Sequence, residues 1–91
     1  MFSQFEFDIT KSLTNKEKHG VDFLEAQEIW EDIDRLVIPV RNIDEPRFHV
    51  IGKINEKFWS CIYTMRDEKI RIISVRKARK EGISIYEDER F

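Results

Sequence analysis

Between Arg47 and Val75 the chain consists of three apolar runs parted by two short polar turns, and this arrangement constrains its fold more than any other feature. Phe48, Val50, Gly52 and Ile54 alternate with Arg47, His49, Ile51 and Lys53, the period of two that belongs to a strand. Asn55, Glu56 and Lys57 read as a turn, residues 58–65 as a strand apolar on both sides, Asp67-Glu68 as a second turn and residues 70–75 as the last strand. Connections this short leave no room for a crossover, so the three runs must pair antiparallel. Leu36–Val40 adds a strand at an edge, because Pro39 has no N–H to give to a ladder.

Ahead of the strands the pattern is helical. Phe5-Glu6-Phe7-Asp8 alternates like a short strand, and Asp8 or Thr10 can cap a helix that runs to about His19. Gly20 supplies the left-handed position that ends it. Asp22 opens a second helix, with Glu25 three residues on in a capping-box arrangement. Phe23, Ala26, Ile29, Trp30 and Ile33 recur at helical spacing on one side, and Glu25, Glu28, Glu31 and Asp32 lie on the other. That periodicity makes the Phe/Trp stripe core rather than a ligand site. Residues 78–91 read as a C-terminal helix weakened by Gly82 and its small or β-branched neighbours. The expected fold is α+β: an N-terminal strand and two helices packed on a four- to five-stranded, mainly antiparallel sheet, then a C-terminal helix, all in one domain spanning 1–91.

Register decides which side chains share a face. A three-residue loop at 55–57 sets Ile54 opposite Phe58 and Val50 opposite Ile62, and a two-residue turn at 67–68 sets Ile62 opposite Ile73 and Trp59 opposite Arg76. One face then carries Phe48, Val50, Ile54, Phe58, Ile62, Ile73 and Val75, suited to cover by the N-terminal helices. The other carries Arg47, His49, Lys53, Trp59, Tyr63, Ser74 and Arg76, with Ile51, Met65, Ile70 and Ile72. Cations mixed with aromatics clamp phosphate and stack a base. A slip of one residue exchanges the two sets.

The chain has 91 residues, 41% apolar and 37% charged, enough for one core and too apolar for a disordered chain. Cys61 is alone, which excludes an intrachain disulfide or a multi-cysteine zinc site and suits a small buried residue. The apolar runs fall short of the ~20 residues of a membrane span. The N-terminal residues lack the basic and apolar regions of a signal peptide, so a cytoplasmic setting is expected. Two distant histidines and one cysteine give no metal-ligand spacing, the three glycines form no phosphate loop, and neither metal nor cofactor is expected. Net charge is −2, but its distribution is uneven. Residues 1–45 hold five Lys/Arg against eleven Asp/Glu, residues 46–80 hold ten against three, and residues 81–91 return to −3. Local fields steer a polyanion, and the basic half provides one. Its densest stretch runs from Lys69 to Arg76 and on through Lys77, Arg79 and Lys80, with Arg71 and Arg76 held on strand backbone. Arginine offers a planar fork matched to phosphate. The same charges would also serve simply to keep a strand soluble.

Several motifs together resemble the BrnT toxins, a bacterial type II family with a RelE-like ribonuclease fold. They are Phe5-Glu6-Phe7-Asp8 with Lys11 and Asn15, Lys18-His19-Gly20-Val21 with Phe23, Glu25 and Ala26, and Glu45 with Arg47. Ile51-Gly52, Thr64 with Arg66, and Arg71-Ile72-Ile73-Ser74 with Arg76, Ala78 and Tyr86 complete the set. The chain departs from the family at Met65, where an acidic residue is usual, at Val75 and over residues 82–85. The resemblance implies a toxin that cleaves RNA and inhibits translation, neutralised by a BrnA-like antitoxin with a ribbon-helix-helix domain. Operator DNA would then be reached only through the antitoxin, and no membrane is involved.

RNA cleavage needs removal of the 2′-hydroxyl proton, neutralisation of charge on the phosphate and protonation of the leaving 5′-oxygen. Arg71, Arg76 and Arg47 are assigned to phosphate contact, with Arg66 as a fourth cation. Lys18, Lys53, His49, Tyr63 and Trp59 are assigned to RNA binding. His19 and His49 are the residues whose type titrates near neutrality. His19 sits in the Lys-His-Gly motif and is read either as an acid–base group or as a cation placed at a helix C-terminus. Glu45 could act as a base or pair with Arg47, and Tyr63 could stack, donate a proton or pack. RelE-like enzymes often rely on cations in place of a standard acid–base pair. Two other readings use the same face: a non-catalytic nucleic-acid-binding module and a protein-interaction scaffold, the latter favoured by exposed Ile51, Met65, Ile70 and Ile72.

Overall fold

The computed structural model describes residues 4–41 and 44–89. Its elements are β1 (Phe5–Glu6), α1 (Ile9–His19), a 3₁₀ segment (Glu25–Glu31), β2 (Leu36–Val40), β3 (Arg47–Ile54), β4 (Lys57–Arg66), β5 (Lys69–Lys77) and α2 (Lys80–Glu89). The five strands form one sheet in the order β1-β5-β4-β3-β2, antiparallel except for the short parallel pair of β1 with β5. The expected α+β class therefore holds. Part of the loop expected over 42–46, and the last two residues of the expected C-terminal helix, lie outside the described residues.

Local chemistry accounts for the helix ends. The Asp8 carboxylate accepts from the Lys11 N–H at 3.0 Å, and Gly20 closes α1 with φ 86°. The Asp22 N–H donates to the Glu25 carboxylate at 3.0 Å and the Glu25 N–H donates to Asp22 at 2.7 Å, so the capping box forms. From Glu25 the chain winds as a 3₁₀ segment and not as the expected α-helix. Phe23, Ala26 and Ile29 still reach the core, but Ile33 is 91% exposed, because the tighter winding runs out before it.

The register of β4 corrects the expectation. Ile54 pairs with Lys57 across a two-residue turn whose residues Asn55 and Glu56 both have positive φ, 50° and 70°. The chain thus turns one residue earlier than a three-residue loop allows, and every β4 side chain changes face. Trp59, Cys61 and Tyr63 face the core with Val50 and Ile54, while Phe58 and Ile62 move to the opposite face. A second irregularity lies in β5. Tyr63 pairs with Ile72 and Ile62 with Ser74, which leaves Ile73 as the extra residue of a bulge. Ile72 is buried in the core and Ile70 packs against it, so neither belongs to the basic face, and Met65 leaves that face with them.

The 3₁₀ segment, through Ala26 and Ile29, and its connection from α1, through Val21 and Phe23, cover the core face. Cys61 is buried there, and burial pushes its thiol well above the usual range. α2 lies across part of the other face. Gly82 lets it approach closely, since a Cβ there would stand 3.1 Å from Ile51 Cδ1. Tyr86 is 1% exposed, packs edge-on against Phe58 and donates its hydroxyl to Asp32 at 2.8 Å.

Candidate active site

Arg71 and Arg76 are five residues apart, and in an unbroken strand they would point to opposite faces. The bulge at Ile73 brings them to the same one. Arg71 stands opposite Thr64 and Arg76 opposite Ser60, and Thr64 and Ser60 lie on one side of β4. Arg47, next in line to the Phe48–Tyr63 pair, rises from the same side of β3. All three arginines therefore leave the face that carries α2, together with His49, Ser74 and Lys53.

These residues form two groups. At one end of the sheet Arg71 pairs with Glu6 at 3.2 Å, and Glu45 pairs with Arg66 at 3.5 Å and Arg47 at 4.0 Å. Thr64 is fully buried between these pairs and donates its hydroxyl to the Pro46 carbonyl. Arg47 Nε is a buried donor with no hydrogen-bond partner. Further along the face, a cavity of about 260 Å³ opens between the sheet and α2. His49, Ser60 and Arg76 supply its sheet side, Arg79 the connection, and Glu81, Gly82 and Ile85 the helix side.

His49 Nε2 and the Ser60 hydroxyl share a hydrogen bond inside this cavity. Burial, and then the charge of Arg76, pull the His49 pKa below its usual 6.5, so the ring is neutral at neutral pH. The cavity thus brings a neutral imidazole, a hydroxyl and two guanidinium groups together. Arg47 and Arg71 do not line it. Thr64 and Ser60 are four residues apart on β4, so the rows of Arg71 and Arg76 are separated by ~13 Å. The arginines share a face without converging on one atom, and a strand longer than a single nucleotide is needed to touch both groups.

The other candidates fall elsewhere. Trp59 and Tyr63, expected on the basic face, are 6% and 7% exposed in the core, where no base can stack on them; the turn at Asn55-Glu56 is the cause. Lys53 lies 5.2 Å over the Phe58 ring. His19 and Lys18 are exposed at the end of α1 and line a separate depression beside β5, apart from the His49 cavity. Reading the sequence missed Ser60, Arg79 and Glu81. Arg79 was visible as part of the basic exit from β5, but Ser60 needed the correct register and Glu81 the docking of α2.

A family model described as "Ribonuclease toxin, BrnT, of type II toxin-antitoxin system" matches residues 7–81. The chain belongs to the BrnT ribonuclease toxins. As a BrnT toxin it is one half of a type II pair and has an antitoxin partner. The match takes in His49, Ser60, Arg76, Arg79 and Glu81, and ends inside α2 before Ile85 and Tyr86. No curated protein matches the chain. No described helix is long and apolar enough to cross a membrane.

Proposed function

We propose that this BrnT toxin is a metal-independent endoribonuclease that cuts RNA at the His49–Arg76 cavity and so stops translation. A BrnA-like ribbon-helix-helix antitoxin would neutralise it and carry the pair to operator DNA. The observation that supports this site is the neutral His49 imidazole, hydrogen-bonded to Ser60 and facing Arg76. His49 takes the proton of the 2′-hydroxyl, the 2′-oxygen attacks the adjacent phosphorus, and the bond from phosphorus to the 5′-oxygen breaks. Arg76 and Arg79 stabilise the charge that grows on the phosphoryl oxygens, and water protonates the leaving oxygen. The products are a 2′,3′-cyclic phosphate and a 5′-hydroxyl. Ser60 orients the ring. Arg47 and Arg71, whose side chains are about a third exposed, hold flanking phosphates. Charge stabilisation by arginine leaves a metal ion without a task.

The test is cleavage of a defined RNA by the purified toxin in excess chelator. We expect cyclic-phosphate ends, a rate loss of roughly 10²-fold or more for His49→Ala, and a similar loss for Arg76→Ala. Arg71→Ala should act mainly through KM. A His49→Ala protein that cuts at the wild-type rate would remove this site from consideration. Binding of the RNA without any cut would favour a non-catalytic module.

A further inference from the structure

We infer that the groove between α1 and the open edge of β5 is a second RNA subsite, which holds the strand a short distance from the cut. This rests on the cleavage reading above. The groove encloses about 290 Å³. Lys11, Lys18 and His19 form its rim, Phe23 and Ile73 its apolar floor, and no acidic side chain lines it. By contrast, Glu81 lines the His49 cavity, and Glu25 and Glu28 line the depression near Trp59. A cationic rim over an apolar floor suits a nucleotide, with its phosphate at the lysines and its base or ribose on Ile73.

The groove also connects to the active face. Ser74 lines it, and Ser74 lies in the same row as Ile62 and His49 on the catalytic side. Ser74 and Arg76 are one step apart along that side, ~7 Å. β1 pairs only with Ile70 and Arg71, so no strand blocks the path over the β5 edge at Ser74. The groove is rigid. The Asn15 side-chain amide donates to the Val75 carbonyl at 2.8 Å and accepts from the Val75 N–H at 3.2 Å, which clamps α1 to the edge. It donates to the Val21 carbonyl as well, at 2.7 Å.

The experiment uses the full-length toxin and single-stranded RNAs that share one cut site and are lengthened stepwise on either side. Wild-type KM should fall as the RNA grows on one side. Lys11→Ala combined with Lys18→Ala should raise KM about tenfold on the longest RNA through two lost phosphate contacts, and the gap should close as the RNA is shortened. The slope of log KM against log salt should drop by about 1.4 in the double variant. A KM unchanged on long RNA, or raised equally at every length, overturns the inference. So does a variant that loses affinity for the antitoxin and not for RNA. If the wild type cuts nothing, the cleavage reading fails, while fluorescence anisotropy with the same RNAs still decides the groove: a length-dependent gap in Kd supports it and equal Kd values overturn it.

Discussion

His49 is held neutral by two effects that act in the same direction, burial under α2 and the positive charge of Arg76. A neutral ring can accept a proton, which is what the first step of RNA cleavage asks of it. By NMR titration its midpoint should lie below 6.5 in the wild type. In Arg76→Gln it should move upward, because burial remains and the charge is gone; Arg76→Lys should keep most of the wild-type value. The same shift has a sign in stability. The unfolded chain binds this proton at the usual 6.5 and the folded chain only at lower pH, so the folded state loses stability as pH falls below 6.5 and gains nothing above it. Urea unfolding across pH 5 to 7 should show that slope in the wild type and a flatter one in His49→Gln. Asp32 and Glu25 are also held below their ordinary values, but they act at lower pH and leave this window clear. A wild-type midpoint at or above 6.5 would remove His49 as a base poised for neutral pH.

Among the elements, those governed by local chemistry were readable from the sequence and those governed by geometry between strands were not. Asp8, Gly20 and the Asp22–Glu25 box marked their boundaries because each satisfies a backbone group within a few residues of itself. The two hairpin turns carry a weaker mark: Asp67-Glu68 reads correctly as a two-residue turn between Arg66 and Lys69, but nothing local separates two residues from three at Asn55-Glu56. Asn55-Glu56 and Asp67-Glu68 have φ of 50°, 70°, 49° and 67°, the signature of type I′ turns, yet neither contains the glycine that usually announces one. A glutamate in that conformation costs roughly 1 kcal/mol against glycine, so a longer loop was the natural reading at 55–57. One misplaced residue there was enough to send Trp59 and Tyr63 to the wrong face. The bulge at Ile73 was equally silent, although it alone lets Arg71 and Arg76 share a face. Glu56→Gly and Glu68→Gly should therefore each stabilise the fold by about 1 kcal/mol, visible as a higher urea midpoint at unchanged m value. No gain at either position would mean that the left-handed turn residues are not strained.

For the molecule as a whole, the site exists only because its two ends meet. Asp32, from the N-terminal half, accepts from the Lys53 N–H at 2.9 Å in β3 and from the Tyr86 hydroxyl at 2.8 Å in α2. Burial pushes the Asp32 pKa up, but N–H donors from Asp34 and Lys53 and the Tyr86 hydroxyl outweigh it and keep the carboxylate charged. That charge holds α2 in place over Ile51 and Phe58, and α2 in turn walls the His49 cavity. Periodicity shows none of this, since Asp32 and Tyr86 are more than fifty positions apart and the pattern of residues 78–91 does not say where a helix docks. Tyr86→Phe keeps the ring against Phe58 and deletes only the hydroxyl. It should cost about 1.5–3 kcal/mol of stability, the usual range for a hydrogen bond to a charged group. The more telling effect should appear at a distance: with α2 less firmly seated, water reaches His49, its midpoint rises toward 6.5 and kcat falls while the protein remains folded at 25 °C. If Tyr86→Phe lowers stability but leaves the His49 titration and kcat untouched, α2 is a structural cover and the cavity does not depend on the latch.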